Sequence, residues 1–89
     1  MATRINKETR ERLCHSYKFM HNDYQVSVRN LKRQTEGTKE YTDVQRTTVF
    51  RFGKLEGMEL VVDKLGYEFV VNTDVTGIAL TVKLVEKNI

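Results

Sequence analysis

The sequence predicts an α+β fold: a long N-terminal helix, a second helix folded back on it as an antiparallel helical hairpin, and a C-terminal antiparallel β-hairpin. Three observations predict it. Apolar residues recur at heptad spacing through the first two thirds of the 89-residue chain, β-branched residues crowd the last third, and there is no proline to interrupt either helix. One domain, 1–89, accounts for a chain of this length.

The first helix is expected over 6–35. Leu13, Tyr17, Met20, Tyr24 and Leu31 step by 4, 3, 4 and 7, with Ser27 in the vacant slot and Val28 one residue off the seam. Asn6 is the expected N-cap, and Glu8 suits the positive end of the helix dipole. Glu8 and Arg12 have the i,i+4 order that favours an ion pair. The polar run Thr35-Glu36-Gly37-Thr38-Lys39-Glu40 reads as a stop and turn.

The second helix is expected over 42–65. Thr42-Asp43-Val44-Gln45 has the form of a capping box, and Val44, Thr48, Arg51, Leu55, Met58, Val62 and Leu65 continue a heptad series. Phe52 stands beside the Arg51 slot. Gly66 is a natural C-cap, with Lys64 in the last turn. An alternative stays open inside this stretch. Thr47-Thr48-Val49-Phe50-Arg51-Phe52 also suits an extra strand at about 46–52, before a shorter second helix beginning near Lys54. Gly53 and Gly57 each cost about 1 kcal/mol inside a helix.

The β-hairpin is expected over 67–86. Tyr67–Asn72 forms one strand and Asn72–Gly77 supplies the turn. In the return strand Ile78, Leu80, Val82 and Leu84 share a face. Lys87-Asn88-Ile89 reads as a frayed tail.

Charge divides the chain. Residues 1–39 carry nine Lys/Arg against four acids; residues 40–89 carry six against eight. Arg4, Lys7, Arg10, Arg12, Lys18, Arg29, Lys32 and Arg33 are therefore candidates for contact with nucleic acid or an acidic partner protein, or else an ordinary solvated face. No apolar run reaches the length of a membrane span, and the first residues lack a signal-type apolar core, so a cytoplasmic location and no membrane partner are expected. A single cysteine, Cys14, excludes an internal disulfide and fits a reducing compartment.

Catalytic chemistry finds little support. His15 lies about 100° round a helix from Cys14, and His21 lies about 10 Å along it, so neither suits a Cys–His pair or one shared metal. Glu56, Glu59 and Asp63 read as an exposed acidic face, and Asp74 as a turn residue. Gly53-Lys54-Leu55-Glu56-Gly57 lacks the spacing of a phosphate loop. The expectation is a non-enzymatic protein with no cofactor and no metal.

Helices of about 28 and 23 residues would span about 42 and 35 Å, more apolar stripe than one small β-hairpin covers. A homo-oligomer is expected, most simply a two-fold dimer. Its interface, or that of a partner, would use Leu13, Tyr17, Met20, Tyr24 and Leu31, or the Gly53-x-x-x-Gly57 step. Those glycines could equally pack inside the chain. A third possibility is a small-ligand or nucleotide site, with Phe50 or Phe52 stacking and Arg51 and Lys54 holding phosphate. The general character, a very short proline-free chain of charged helices followed by a small β element, resembles the accessory proteins of bacteriophages, a likeness that assigns no residue a role. The missing catalytic constellations, the uncovered apolar stripes and the polarised charge lead to the expectation of a protein that binds a macromolecular partner and regulates or inhibits it, with nucleic-acid binding through the basic first helix as the alternative.

Overall fold

The computed structural model describes residues 3–87. Helix α1 runs Lys7–Arg33 and helix α2 runs Lys39–Lys64, followed by strands β1 (Tyr67–Thr73) and β2 (Ala79–Glu86) paired antiparallel. The molecule is elongated, with extents of 48 × 24 × 24 Å.

Helix α1 starts as its sequence demands. The Asn6 side chain accepts from the Thr9 N–H at 2.8 Å, and Arg12 reaches Glu8 at 2.6 Å. That ion pair is largely exposed and adds little to stability. At the other end the Gln34 N–H donates to the Leu31 carbonyl, and Gly37 turns the chain with φ +87°.

Helix α2 begins one turn earlier than the Thr42 capping box implies. Thr38 is the N-cap: its hydroxyl oxygen accepts from the Tyr41 N–H at 3.1 Å and its hydroxyl donates to the Thr35 carbonyl at 2.7 Å. The left-handed turn at Gly37 brings Thr38 into this position, so the helix is nucleated before Thr42 is reached. Thr42 lies inside the first turn, its hydroxyl donating to the Thr38 carbonyl.

Residues 46–52 are helical, which closes the alternative of an extra strand. Two threonines that favour strands are accommodated by bonding back along the helix, Thr47 to the Asp43 carbonyl and Thr48 to the Val44 carbonyl. The helix stops at Leu65 and Gly66, with Gly66 at φ +89°.

In the β-hairpin Tyr67 pairs with Glu86 and Asn72 with Thr81, but Thr73 pairs with Ala79. Leu80 is thus an extra residue in β2, a β-bulge. The bulge corrects the expected inner face. Ala79 is buried and Leu80 is 53% exposed, while Leu84 stays inside. Asp74 organises the turn, its carboxylate accepting from the Thr76 hydroxyl and N–H and from the Ile78 N–H. Those bonds, led by the hydroxyl, hold the Asp74 carboxyl below the usual carboxylate range.

The core lies where the three layers meet. Val62, Tyr67 and Leu84 are buried, with Ile5, Leu13, Cys14, Leu65 and Phe69 packed around them. The Tyr17 ring stacks on Phe69 at 4.0 Å, and the Arg10 guanidinium lies over Tyr67 while donating to the Leu84 carbonyl. Lys87, expected in the frayed tail, donates its N–H to the Gly66 carbonyl and pairs with Asp63. Asn88 and Ile89 lie outside the described residues.

Away from this core the seam between the two helices contains a polar contact. Ser27 is 2% exposed, and Arg51 donates to its hydroxyl at 2.5 Å and to the Asp23 carbonyl at 3.1 Å. The polar slot of the first heptad series therefore faces Arg51, one of the two polar positions of the second.

Two measurements test this description. Thr38→Ala should cost about 1 kcal/mol in urea unfolding while Thr42→Ala is near neutral; the reverse order would return the helix start to Thr42. A double-mutant cycle of Ser27→Ala with Arg51→Met should show a coupling of about 1.5–3 kcal/mol, the range for a hydrogen bond to a charged group. Simple additivity would mean that the two residues act independently.

Candidate interaction surface

The eight basic residues singled out in the sequence do not converge. Arg10 and Arg29 turn toward the β-hairpin, Arg10 bonded to the Leu84 carbonyl and Arg29 to the Thr76 carbonyl at 2.7 Å. Arg12 is two residues beyond Arg10, about 200° round the helix, and pairs with Glu8. Arg4 and Lys7 are exposed near the start of α1, and Lys18 is half-buried. Lys32 and Arg33 occupy the last turn, where a cation offsets the helix dipole.

The α1 stripe expected as an oligomer or partner seam is largely used within the chain. Tyr17 is 5% exposed, and its hydroxyl donates to Glu59 at 2.5 Å. Leu13 packs on the central cluster, and the Tyr24 ring leans on Phe52 at 5.4 Å. Leu31 and Met20 are half-buried.

Gly53 and Gly57 do the opposite. A Cβ added at either would meet nothing within 4 Å. They do not serve close packing against α1; they lie on the outer side of α2. Val49, Phe50, Leu60 and Val61 share that side, each more than half exposed.

The outer side of α2 continues into the seam between the helices. Leu13, Met20, Lys54, Gly57, Met58 and Val61 border an apolar groove of about 320 Å³. Next to it is a cleft of about 510 Å³ bordered by Phe19, Met20, Asp23, Phe50, Arg51 and Lys54. Phe19 is 65% exposed at its edge.

This cleft gathers three of the four residues considered for a small ligand. Their polar groups are engaged elsewhere: Arg51 bonds to Ser27 and Asp23, and the Lys54 ammonium sits 4.6 Å over the Phe50 ring. Phe52 is on another side of α2, against Tyr24. The sequence identified Gly53 and Gly57 but missed the flanking apolar residues, whose signal is a second apolar series on α2 half a turn from the first.

Reactive groups are subdued. Burial pushes the Cys14 thiol up, against a smaller opposing effect of the Arg10 charge, so its thiolate is disfavoured. The His21 Nε2 lies 3.0 Å from the Gly77 carbonyl, which can only accept, so the imidazole donates there. No group of three or more His, Cys, Asp or Glu among the described residues could hold a metal ion, and none of their helices is long and apolar enough to cross a membrane.

Comparison with family models, curated proteins and solved structures gives no match.

Tyr17 provides a check on the packing beneath this surface. Burial first, and the adjoining Glu59 second, keep its hydroxyl protonated well above the ordinary phenol range. The unfolded chain ionises it near the ordinary pKa of about 10. Its contribution to stability is therefore complete below that pH and lost as pH rises beyond it. Tyr17→Phe should flatten the fall of the urea midpoint at alkaline pH. An unchanged alkaline slope would place this hydroxyl in water.

Proposed function

We propose that this chain is a non-enzymatic interaction protein, a small homo-oligomer that binds a macromolecular partner and regulates or inhibits it. One observation carries the reading: a continuous apolar surface runs along the outer side of α2 and into the α1–α2 seam. Large contiguous apolar patches mark sites of association, because leaving them in water forgoes the hydrophobic gain of covering them. The central part of this patch has a cation at each end, Arg46 and Lys64, both exposed. An apolar centre with a charged rim is the general anatomy of a protein–protein interface.

The same reading explains the use of charge. Several arginines are committed to backbone carbonyls and brace the fold. Their guanidinium groups are stabilised by hydrogen bonds within the chain, so the surface offers a protein partner apolar area more than it offers phosphate a cationic groove.

Light scattering during size-exclusion chromatography, on nuclease-treated protein, tests the reading. The expected mass is at least twice 10.4 kDa. A mass of 10.4 kDa at every concentration would overturn the oligomer. A larger species present in untreated protein and absent after nuclease treatment would transfer the function to nucleic-acid binding.

A further inference from the structure

Helix α2 has two apolar sides, and a single chain covers only one. Thr48, Leu55 and Val62, seven residues apart, are its buried positions. On the opposite side Val49, Phe50, Leu60 and Val61 are 67%, 64%, 55% and 56% exposed. Gly53 and Gly57 lie between them, each beside open space. At 3.6 residues per turn these six positions fall within about 120° of the helix surface, one continuous strip.

The area of the whole chain points to a missing neighbour. A compact monomer of 10.4 kDa exposes about 5,400 Å² by the scaling of surface with mass. This chain exposes 6631 Å², an excess of about 1,200 Å² over that scaling. A stable protein interface covers about 800 Å² on each partner. The radius of gyration, 15.2 Å, exceeds the roughly 12 Å of a compact chain of this length. Covering the outer side of α2 would bring both properties closer to those of an ordinary globular particle.

We propose that the outer strip of α2 is the subunit interface of a two-fold dimer, with α2 packed antiparallel on α2 of a second copy and crossing at the Gly53–Gly57 step. This inference rests on the interaction-protein reading above and names its first partner.

The order of residues along the strip suits a second copy of the same chain. Leu55 marks its midpoint. Two residues away on either side is a glycine, five and six away is an apolar pair, and nine away is a cation, Arg46 or Lys64. A surface that meets itself across a two-fold axis must be self-complementary; the glycine and apolar positions are, whereas Arg46 falls level with Lys64 of the second copy, a like-charge pair that the crossing angle must hold apart. An antiparallel crossing sets Val49 and Phe50 of each chain against Leu60 and Val61 of the other, and each Gly53 against a Gly57. The glycines let the backbones approach more closely than the usual 8–10 Å between helix axes. A parallel pair has no need of the palindrome and sets the helix dipoles in the unfavourable side-by-side sense. Val62, on the side of α2 away from the strip, packs on the β-hairpin, so the two hairpins lie clear of the crossing.

The glycines make a clean test. Gly57→Gln places a long side chain on the strip. It meets no atom of its own chain within 4 Å at the Cβ, and glutamine is a better helix former than glycine. The variant monomer should therefore melt at a higher temperature than the wild-type monomer, while its dimerisation weakens tenfold or more. Sedimentation equilibrium reads the second effect. Orientation is read in a Cys14→Ser background by a spin label at Arg46→Cys. The antiparallel pair separates the two labelled sites by about 27 Å along the helix axes; a parallel pair brings them to about 10 Å, the distance between axes.

A dimer with the long separation, weakened by Gly57→Gln, is the expected result. A dimer with the short separation, or one indifferent to Gly57→Gln, overturns this interface and leaves the oligomeric interaction protein standing. A monomer at all concentrations overturns both.

Discussion

The contact between Arg51 and Ser27 sets the relation between the two helices. Apolar packing alone would allow α2 to slide or roll on α1, because a stripe of similar side chains has several nearly equivalent positions. A guanidinium that must meet a buried hydroxyl and the Asp23 carbonyl has only one. A polar pair within an apolar seam is a register device, and it disfavours displaced arrangements more strongly than it stabilises the correct one. With that register set, Val62 reaches the β-hairpin, Phe52 reaches Tyr24, and the glycines of α2 are left facing outward.

Much of the architecture was legible because it is locally encoded. Asn6, Gly66 and the Glu8–Arg12 pair act through bonds spanning a few residues, and the helical periods are properties of each segment. The features that escaped are set from a distance. Thr42 has every local attribute of an N-cap, yet the turn at Gly37 places Thr38 there first. Leu80 belongs to an alternating apolar strand, yet pairing with β1 makes it the bulged residue. Arg10 reads as one cation among many and is drawn under the β-hairpin by an aromatic ring and a carbonyl 74 residues away.

The candidate surface was half legible for a related reason. A heptad series discloses one face of a helix, and the α2 series correctly marks the buried one. A second apolar face on the same helix blurs the contrast between sides, so the sequence looks uniformly mixed there. Only when α1 and the β-hairpin are in place does it become clear which residues they cover. Tyr17 makes the converse point: as an aromatic on a heptad seam it suits an external interface, but its ring is taken by Phe69 and its hydroxyl by Glu59.

The tip of the β-hairpin carries a consequence of its own. Val75 is fully exposed, and protruding loop tips are where proteases usually nick a chain. Its neighbours are tied on both sides. The Asp74 and Ile78 backbones bond to each other, and the Gly77 N–H returns to the Asp74 carbonyl. The helix holds the turn from below, with Arg29 on Thr76, His21 on Gly77 and Asn22 on Ala79. Cleavage there requires a stretch of backbone to leave these bonds and enter a protease in extended form. A side chain wholly in water thus stands on a peptide segment that resists cutting until the strands themselves come apart.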